Sequence, residues 1–153
     1  MSQFYGTHQN RLDAKGRVSV PASFRAELRA ESDSRPAALI LRRSHTHACI
    51  EAWPAAEFEK LATPLDRLDI FSEAQDDLQT ALYADAHRVE PDKDGRISLP
   101  ESLVQHAGLT EIVSFVGAGR IFRIWEPAAA ALRLAAALER TRTRGLTLPG
   151  TPA

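Results

Sequence analysis

The stretch Asp13-Ala14-Lys15-Gly16-Arg17-Val18-Ser19-Val20-Pro21 returns 79 residues later as Asp92-Lys93-Asp94-Gly95-Arg96-Ile97-Ser98-Leu99-Pro100. Both copies keep Asp, Gly and Arg at the same spacing, and in both an alternating segment and a proline follow. An internal repeat of this kind indicates a repeated structural unit. The 153 residues are therefore expected to form two similar halves around a shared core.

Each copy predicts a strand, a tight turn, a second strand and a short helix. An Asp followed three residues later by Gly is typical of a type I turn, and Gly16 can adopt the positive φ that closes a hairpin with a bulge. Residues 17–20 alternate like a half-buried strand, and Pro21 suits the first turn of a helix.

The rest of the chain extends this unit into an α+β fold. Apolar strands are predicted on both sides of 44–47 and of 117–119, and Ser72-Glu73-Ala74-Gln75 is typical of a capping box. A Thr63-Pro64 pair predicts the cap and first turn of another linker helix. We expect two tandem halves that form a pseudo-symmetric small β-barrel core, with a helical linker and a C-terminal helix. The expected divisions are repeat 1 at 7–54, the linker at 55–85, repeat 2 at 86–128, the C-terminal helix at 129–145 and a disordered tail at 146–153.

The amino-acid composition is ordinary for a soluble protein and argues against a membrane-spanning or disulfide-rich one. The chain is 44% hydrophobic and 25% charged, and no apolar run approaches the roughly 18 residues of a membrane span. The N-terminal residues do not have the form of a signal peptide, so a cytoplasmic location is expected. Cys49 is alone, which excludes an intrachain disulfide.

Charge is segregated along the chain although the formal net charge is only −1. Residues 11–29 contain five basic and two acidic residues, whereas residues 66–94 contain nine acidic and three basic residues. A chain with this distribution can present a basic surface while remaining near neutral.

The two Asp-x-x-x-Arg motifs, each followed by a strand and a proline, resemble those of the MraZ family of bacterial transcriptional regulators. The resemblance extends from 10–17 through Gly117-Ala118-Gly119-Arg120 to Trp125. It implies an AbrB-like swapped-hairpin DNA-binding fold, duplicated in one chain. It also implies a nucleoid-associated ring oligomer that binds double-stranded DNA at short direct repeats, usually repressing its own division and cell-wall operon. No cofactor, metal, small-molecule substrate, catalytic activity or membrane attachment is expected for this chain.

The same resemblance implies which residues contact DNA. Asp13, Lys15 and Arg17 belong to the DNA-facing motif, and Arg11 on the approaching strand adds a cation to the same ridge. The second copy consists of Asp92, Lys93 and Arg96, expected to be structural or to contact DNA weakly. It has Asp94 where the first copy has lysine, which makes it a poorer partner for phosphate.

The residues alone leave two interpretations of the arginines. Arg17 can make a bidentate contact with guanine in the major groove, or it can pair with Asp13 and fix the turn. Both copies keep this Asp and Arg, which favours a structural role for Asp92 and Arg96 and leaves Arg17 open. Lys15 has no evident structural duty and is the better DNA candidate.

Parts of the sequence are also compatible with three functions other than DNA binding. Acids from Glu90 to Glu101 partly match an EF-hand calcium loop, but the prolines at 91 and 100 stiffen it. The alternating His45, His47 and Cys49 could suggest a metal site, although a turn tip and a core cysteine explain them better. The third alternative is a ring-forming interaction scaffold without specific DNA binding.

Overall fold

A computed structural model describes residues 3–31 and 37–150 of the chain. Eight strands and six helices occur in the described part, in a mixed α+β order that confirms the expected class. They are β1 (Thr7–Arg11), β2 (Arg17–Ser19), α1 (Ala22–Glu31), β3 (Leu39–Arg43), β4 (Ile50–Pro54), α2 (Ala55–Glu59), α3 (Ala62–Leu65), α4 (Glu73–Tyr83), β5 (His87–Val89), β6 (Arg96–Ser98), α5 (Glu101–Ala107), β7 (Ile112–Gly117), β8 (Phe122–Trp125) and α6 (Pro127–Thr143).

The strands form two sheets, and both combine the two halves. An antiparallel six-stranded sheet has the order β1-β7-β8-β4-β3-β5, and β2 pairs with β6 in a separate two-stranded ribbon. The expected barrel core is thus built from a sheet and a ribbon that share one set of buried residues.

The expected local hairpin around the first turn is wrong. β1 enters the turn and β2 leaves it, but β1 pairs with β7 and β2 pairs with β6. A side-chain bond from Asn10 Nδ2 to the Ser19 carbonyl oxygen, at 2.6 Å, links the two strands instead of a ladder. Each half therefore supplies strands to the other, because the turn sends its two arms into different sheets.

The ribbon is symmetric about its central pair. Val18 faces Ile97, which is its own counterpart in the repeat, and both side chains are buried. Two further bonds repeat across this centre: the Val20 N–H donates to the Gly95 oxygen at 2.9 Å, and the Leu99 N–H donates to the Gly16 oxygen at 2.8 Å. Each turn is thereby fixed by the strand end of the other half.

One hydrophobic core lies between the ribbon, the sheet and helices α1 and α5. Phe4, Phe24 and Phe122 meet in edge-to-face and tilted contacts with centroid distances from 4.9 to 5.2 Å. The N-terminal Phe4 is held there by its N–H, which donates to the Gly119 oxygen at 2.7 Å. A side chain at Gly117 would collide with the Phe4 carbonyl oxygen, since an added Cβ lies 2.4 Å from it.

In the sequence, Trp53 and Trp125 both stand just before a helix that a proline opens, which predicts a core position for each, but the two differ in burial. Trp125 is buried against Cys49 and Ala130 of α6, as predicted. Trp53, on the outer face of the sheet, is only half-buried, and its indole Nε1 donates to Glu51 Oε1 at 3.0 Å. Helix α6 therefore covers the outer face of the sheet around Trp125.

Helices α4 and α5 each have one end stabilised by a local capping feature. The Ser72 side chain accepts from the Gln75 N–H at 3.1 Å, which confirms the predicted cap of α4, and Gly108 closes α5 in the left-handed conformation. The predicted Thr63 cap is wrong: α3 already begins at Ala62. Thr63 and Pro64 lie inside its first turn, where a proline costs no helical hydrogen bond.

Two predicted segments fall partly outside the described residues. The polar residues 30–36 predict a loop, but α1 continues to Glu31, and residues 32–36 lie outside the described part of the chain. Residues 146–150 of the expected tail form neither helix nor strand, and residues 151–153 are not described. Among the residues described, no helix combines the length and apolar character needed to cross a bilayer.

A buried ion pair joins the outer face of the sheet to the linker helices. Arg42 is 1% exposed, and its Nη1 lies 2.6 Å from Glu51 Oε1 on the neighbouring strand. Its Nη2 donates to the Ala81 carbonyl oxygen of α4 at 3.0 Å. This arginine therefore fastens the linker to the first repeat.

Removing one partner of this pair should destabilise the fold strongly. Glu51→Ala leaves the Arg42 charge buried without an anion, which we expect to lower the free energy of unfolding by about 3–5 kcal/mol. The double variant Arg42→Met/Glu51→Leu should recover most of that loss, because no charge remains to be desolvated. Urea unfolding measures both.

The exposed pair Arg142–Glu139 offers a matched control. Arg142→Ala should change stability by less than about 1 kcal/mol. If Glu51→Ala cost no more than this surface control, the ion pair would not contribute as described.

Candidate nucleic-acid interface

The two repeated turns are closed by the same set of hydrogen bonds. Asp13 Oδ1 accepts the N–H groups of Lys15 and Arg17 at 2.9 and 2.8 Å, and Asp13 Oδ2 accepts Arg17 Nε at 2.9 Å. In the second copy, Asp92 makes the corresponding three contacts at 2.9, 2.9 and 3.2 Å. The aspartate thus organises the loop and orients the arginine that follows it.

These bonds stabilise the ionised form of both aspartates. The pKa of Asp13 is lowered from its ordinary value, chiefly by the Arg17 N–H, and the pKa of Asp92 is lowered chiefly by the Arg96 N–H. A lowered folded-state pKa stabilises the fold above the unfolded value of about 3.9. The contribution is lost as the pH falls through the lower, folded-state value, so both turns are at full strength near neutral pH.

The ribbon places the two motif arginines on one surface. In an antiparallel pair, opposed residues share a face and alternate residues return to it. Val18 and Ile97 point into the core, so Arg17 and Arg96 point outward together with Ser19 and Ser98. We call this surface the ribbon face. Its two arginines are diagonal cross-strand neighbours, for which the Cα atoms are typically about 7–8 Å apart.

The cations of the first motif retain groups that can meet a ligand. Lys15 is exposed, and its ammonium has no hydrogen bond or ion pair within residues 3–31 and 37–150. Arg17 uses Nε on Asp13, and its two terminal nitrogens have no recorded partner in the described structure. Arg11 is exposed at the end of β1, next to the turn. Both interpretations of Arg17 are therefore compatible: one edge fixes the turn and the other faces outward.

Asp13 and Lys93 differ in how available their side chains are to a ligand. Both of its carboxylate oxygens are occupied within the turn, so its arrangement suits positioning rather than contact with a ligand. Lys93, by contrast, is exposed at the tip of the second turn, where the first turn has Ala14.

The second turn is partly neutralised and covered. Arg96 pairs with both Asp92 and Asp94, at 3.2 and 3.4 Å. Arg25 of α1 donates to the Asp94 carbonyl oxygen at 3.2 Å, and its guanidinium lies so close to Gly95 that an added Cβ would be 2.0 Å from Nη1. This contact of Arg25 was not predicted from the sequence, where its one signal is that the counterpart of Arg25 in the second copy is Val104.

The candidate metal residues have other partners. Asp92 and Asp94 of the calcium-loop alternative are engaged by Arg96. His45 lies beside Arg42 at 3.1 Å, and burial raises the pKa of the Cys49 thiol to about 11. No three His, Cys, Asp or Glu side chains of the described part of the chain converge as a metal site.

Comparison with known proteins agrees with the duplicated architecture. A family model described as "MraZ protein, putative antitoxin-like" matches the chain twice, at residues 3–81 and 82–140. The boundary between the two matches falls between Ala81 and Leu82, within the last turn of α4.

Relatives of similar length match almost the whole chain. A protein of Gluconacetobacter diazotrophicus named "Transcriptional regulator MraZ" is 60% identical over 149 residues, which cover 97% of this chain and 93% of the relative. Proteins of the same name from Gluconobacter oxydans and Rickettsia bellii are 58% and 41% identical, over 94% and 93% of this chain and 87% and 93% of their own lengths. By both comparisons, the chain belongs to the MraZ family.

Proposed function

We propose that this protein is a sequence-specific DNA-binding transcriptional regulator that acts without catalysis, and that the ribbon face with its first turn contacts double-stranded DNA. The observation that supports this most directly is the outward display of Lys15 and Arg17 beside a paired, neutralised second turn. Relatives that match nearly the full chain are named transcriptional regulators.

The geometry suits the major groove of B-DNA. A groove about 12 Å wide admits a two-stranded ribbon, and an arginine reads guanine through two parallel hydrogen bonds. Asp13 holds Arg17 by Nε, which leaves its terminal nitrogens oriented for a base. Lys15, as a mobile point charge, suits a phosphate.

Self-association is the second part of the proposal. The ribbon has only three residues in each strand, so one copy offers few contacts to DNA. Identical copies arranged in a ring can bind successive direct repeats together, and effective concentration then raises the affinity. We propose such a ring at repeats upstream of the protein's own division and cell-wall operon, repressing it from the cytoplasmic, nucleoid-associated pool.

The alternative is a ring scaffold that does not bind specific DNA. Exposed apolar side chains on the linker and on α6 favour self-association in either case. DNA binding to the protein's own upstream region therefore separates the two functions.

Replacing Lys15 should weaken DNA binding uniformly. A Lys15→Ala variant loses one phosphate contact in each bound copy, so we expect weaker binding to all sequences and a salt slope reduced by about 1 for each such contact. Mobility shifts on the upstream region at several salt concentrations measure this. Arg67→Ala removes an equal charge from the linker, where Arg67 is exposed and makes no ion pair within the described residues, and should bind like the unmodified chain.

Replacing Arg17 should instead reduce sequence discrimination. Arg17→Ala should weaken binding to direct repeats by about 1–3 kcal/mol per engaged copy, with little change on unrelated DNA. Arg17→Lys should not restore it, because an ammonium cannot make the bidentate contact. Urea unfolding controls for stability, since the half-exposed pair with Asp13 contributes little. Equal losses on specific and unrelated DNA would contradict base reading by this residue.

The second turn can be tested by a gain of binding. Asp94→Lys restores the charge pattern of the first turn and removes one partner of Arg96. If the second turn lies close to DNA, this variant should bind several-fold more tightly at low salt, by the same mobility-shift measurement. Unchanged affinity would assign the second turn a structural role only.

A further inference from the structure

One arginine on the outer face of the sheet has no partner for its side chain. Along β8, Phe122 and Ile124 are buried in the core, so Arg123 points to the opposite face together with Trp125. The Nε of Arg123 is buried without an acceptor, and its guanidinium forms no ion pair within residues 3–31 and 37–150. A buried donor that lacks an acceptor is unusual in a folded protein and points to a missing ligand atom.

The acid that lies opposite Arg123 is already occupied. Glu51 faces Arg123 in the pairing of β4 with β8. Its Oε1 accepts Arg42 Nη1 at 2.6 Å and Trp53 Nε1 at 3.0 Å. The charge of Arg123 is therefore left without an acidic partner on the sheet.

Helix α6 brings two further arginines over the same face. Ala130 packs on Cys49 and Trp125, and Arg133 follows Ala130 by about one helical turn. Arg140 follows Arg133 by about two turns, so both arginines continue the side of the helix that faces the sheet. Neither side chain forms a hydrogen bond or ion pair with another residue in the described part of the chain.

The connection between β3 and β4 approaches this side of α6. The centroid of the His47 ring lies 5.9 Å from that of the Trp125 ring. Burial lowers the pKa of His47, and three positive charges lower it further. These charges belong to Arg133, Arg123 and Arg140. We call the three arginines and His47 the arginine cluster.

The cluster remains accessible to a small solute. Arg140 is exposed and Arg133 is half-buried, so both can be reached from solvent. Between them on this side of the helix lie Ala136 and Ala137, whose side chains are too short to cover a guanidinium group.

The chemistry of the cluster favours a multiply charged oxyanion. A guanidinium presents several N–H donors in a planar fork that matches phosphate oxygens. Three neighbouring guanidinium groups repel one another, and a phosphate group supplies both the negative charge and the acceptors that they lack. A single carboxylate has one charge and two oxygens, which cannot serve three arginines equally well.

We infer that the arginine cluster binds a small phosphate-bearing anion, with Arg123 beneath it on the sheet and Arg133 and Arg140 above it on α6. The hydrophobic core lies between the ribbon and the face of the sheet that carries Arg123. This site is therefore separate from the ribbon face, and it does not depend on the proposed function. A bound anion links the C-terminal helix to the sheet.

Calorimetric titration with inorganic pyrophosphate, at constant ionic strength, tests the site. We expect saturable binding of one anion per chain. Arg123→Gln and Arg133→Gln should each weaken it about tenfold or more, because each removes charge-assisted hydrogen bonds. The matched control is Arg142→Gln on the same helix, since Arg142 pairs with Glu139, and it should bind like the unmodified chain.

The stability of the variants can be checked independently. Arg133→Gln keeps a good helix former on the surface of α6, so it tests the site even if Arg123→Gln disturbs the sheet. Circular dichroism verifies that each variant folds.

The imidazole of His47 provides a second measurement. Its charged neighbours are the three arginines, which lower its pKa, and Glu51, which raises it. A bound anion offsets the arginine charges, so the pKa of His47 should rise when pyrophosphate is added, as followed by nuclear magnetic resonance. Arg133→Gln should abolish most of this change.

Other results would overturn the inference. A titration without saturable binding would exclude the site, and an equal loss in Arg142→Gln would show general attraction to a basic helix. Binding of an acidic peptide at the cluster, with no binding of pyrophosphate, would assign these arginines to a protein partner.

A final comparison separates a free phosphate compound from the phosphates of DNA. Arg133→Gln should bind the upstream DNA like the unmodified chain in mobility shifts, and Lys15→Ala should keep its affinity for pyrophosphate. If Arg133→Gln lost both ligands together, the bound phosphates would be those of the DNA backbone and the separate site would be refuted. Failure of the anion site and failure of DNA recognition are thus distinguishable.

Discussion

The structure depends on the antiparallel pairing of β2 with β6, centred on Val18 and Ile97. This three-residue ribbon places one apolar residue of each half into the core and turns two arginines outward. Its reciprocal end bonds tie each turn to the other half. Strand β1, which leads into the first turn, pairs with β7 of the second half. Neither half therefore has a complete sheet without the other. The pairing of β2 with β6 therefore provides both the proposed DNA-binding surface and part of the shared core.

Much of this arrangement could be read from the chain, because its strongest signals are local or repeated. The spacing of Asp, Gly and Arg predicts the turn chemistry, and Ser72 predicts a helix start that the structure confirms. Partner choice between strands was not predictable from the residues alone. The alternation of β1 and β2 fits a local hairpin as well as it fits exchange, since alternation reveals which side chains are buried but not which edge is paired. Likewise, nothing local distinguishes Arg25, which covers the second turn, from an ordinary exposed helix residue.

Arginines in this protein illustrate how environment changes the role of one side chain. Arg42 is buried, binds Glu51 and the Ala81 carbonyl oxygen through its terminal nitrogens, and holds α4 to the sheet. Arg17 divides its guanidinium between the turn and the exterior. The near-zero net charge conceals this difference, because it sums paired and unpaired cations alike. Which cations are available for DNA follows from their hydrogen-bond partners and not from composition.

The pairing of β1 with β7 also affects how the chain can fold as it is synthesised. Thr7 pairs with Val116, and Phe4 reaches its place only when Gly119 is available. The first half must therefore emerge from the ribosome with unpaired strands and an uncovered apolar face, and wait for most of the second half. Long-range pairing of this kind slows folding and lengthens the time during which unpaired, aggregation-prone strand edges are exposed. Fusing the two halves in one chain shortens that interval, because the missing strands arrive on the same polypeptide rather than by collision with another.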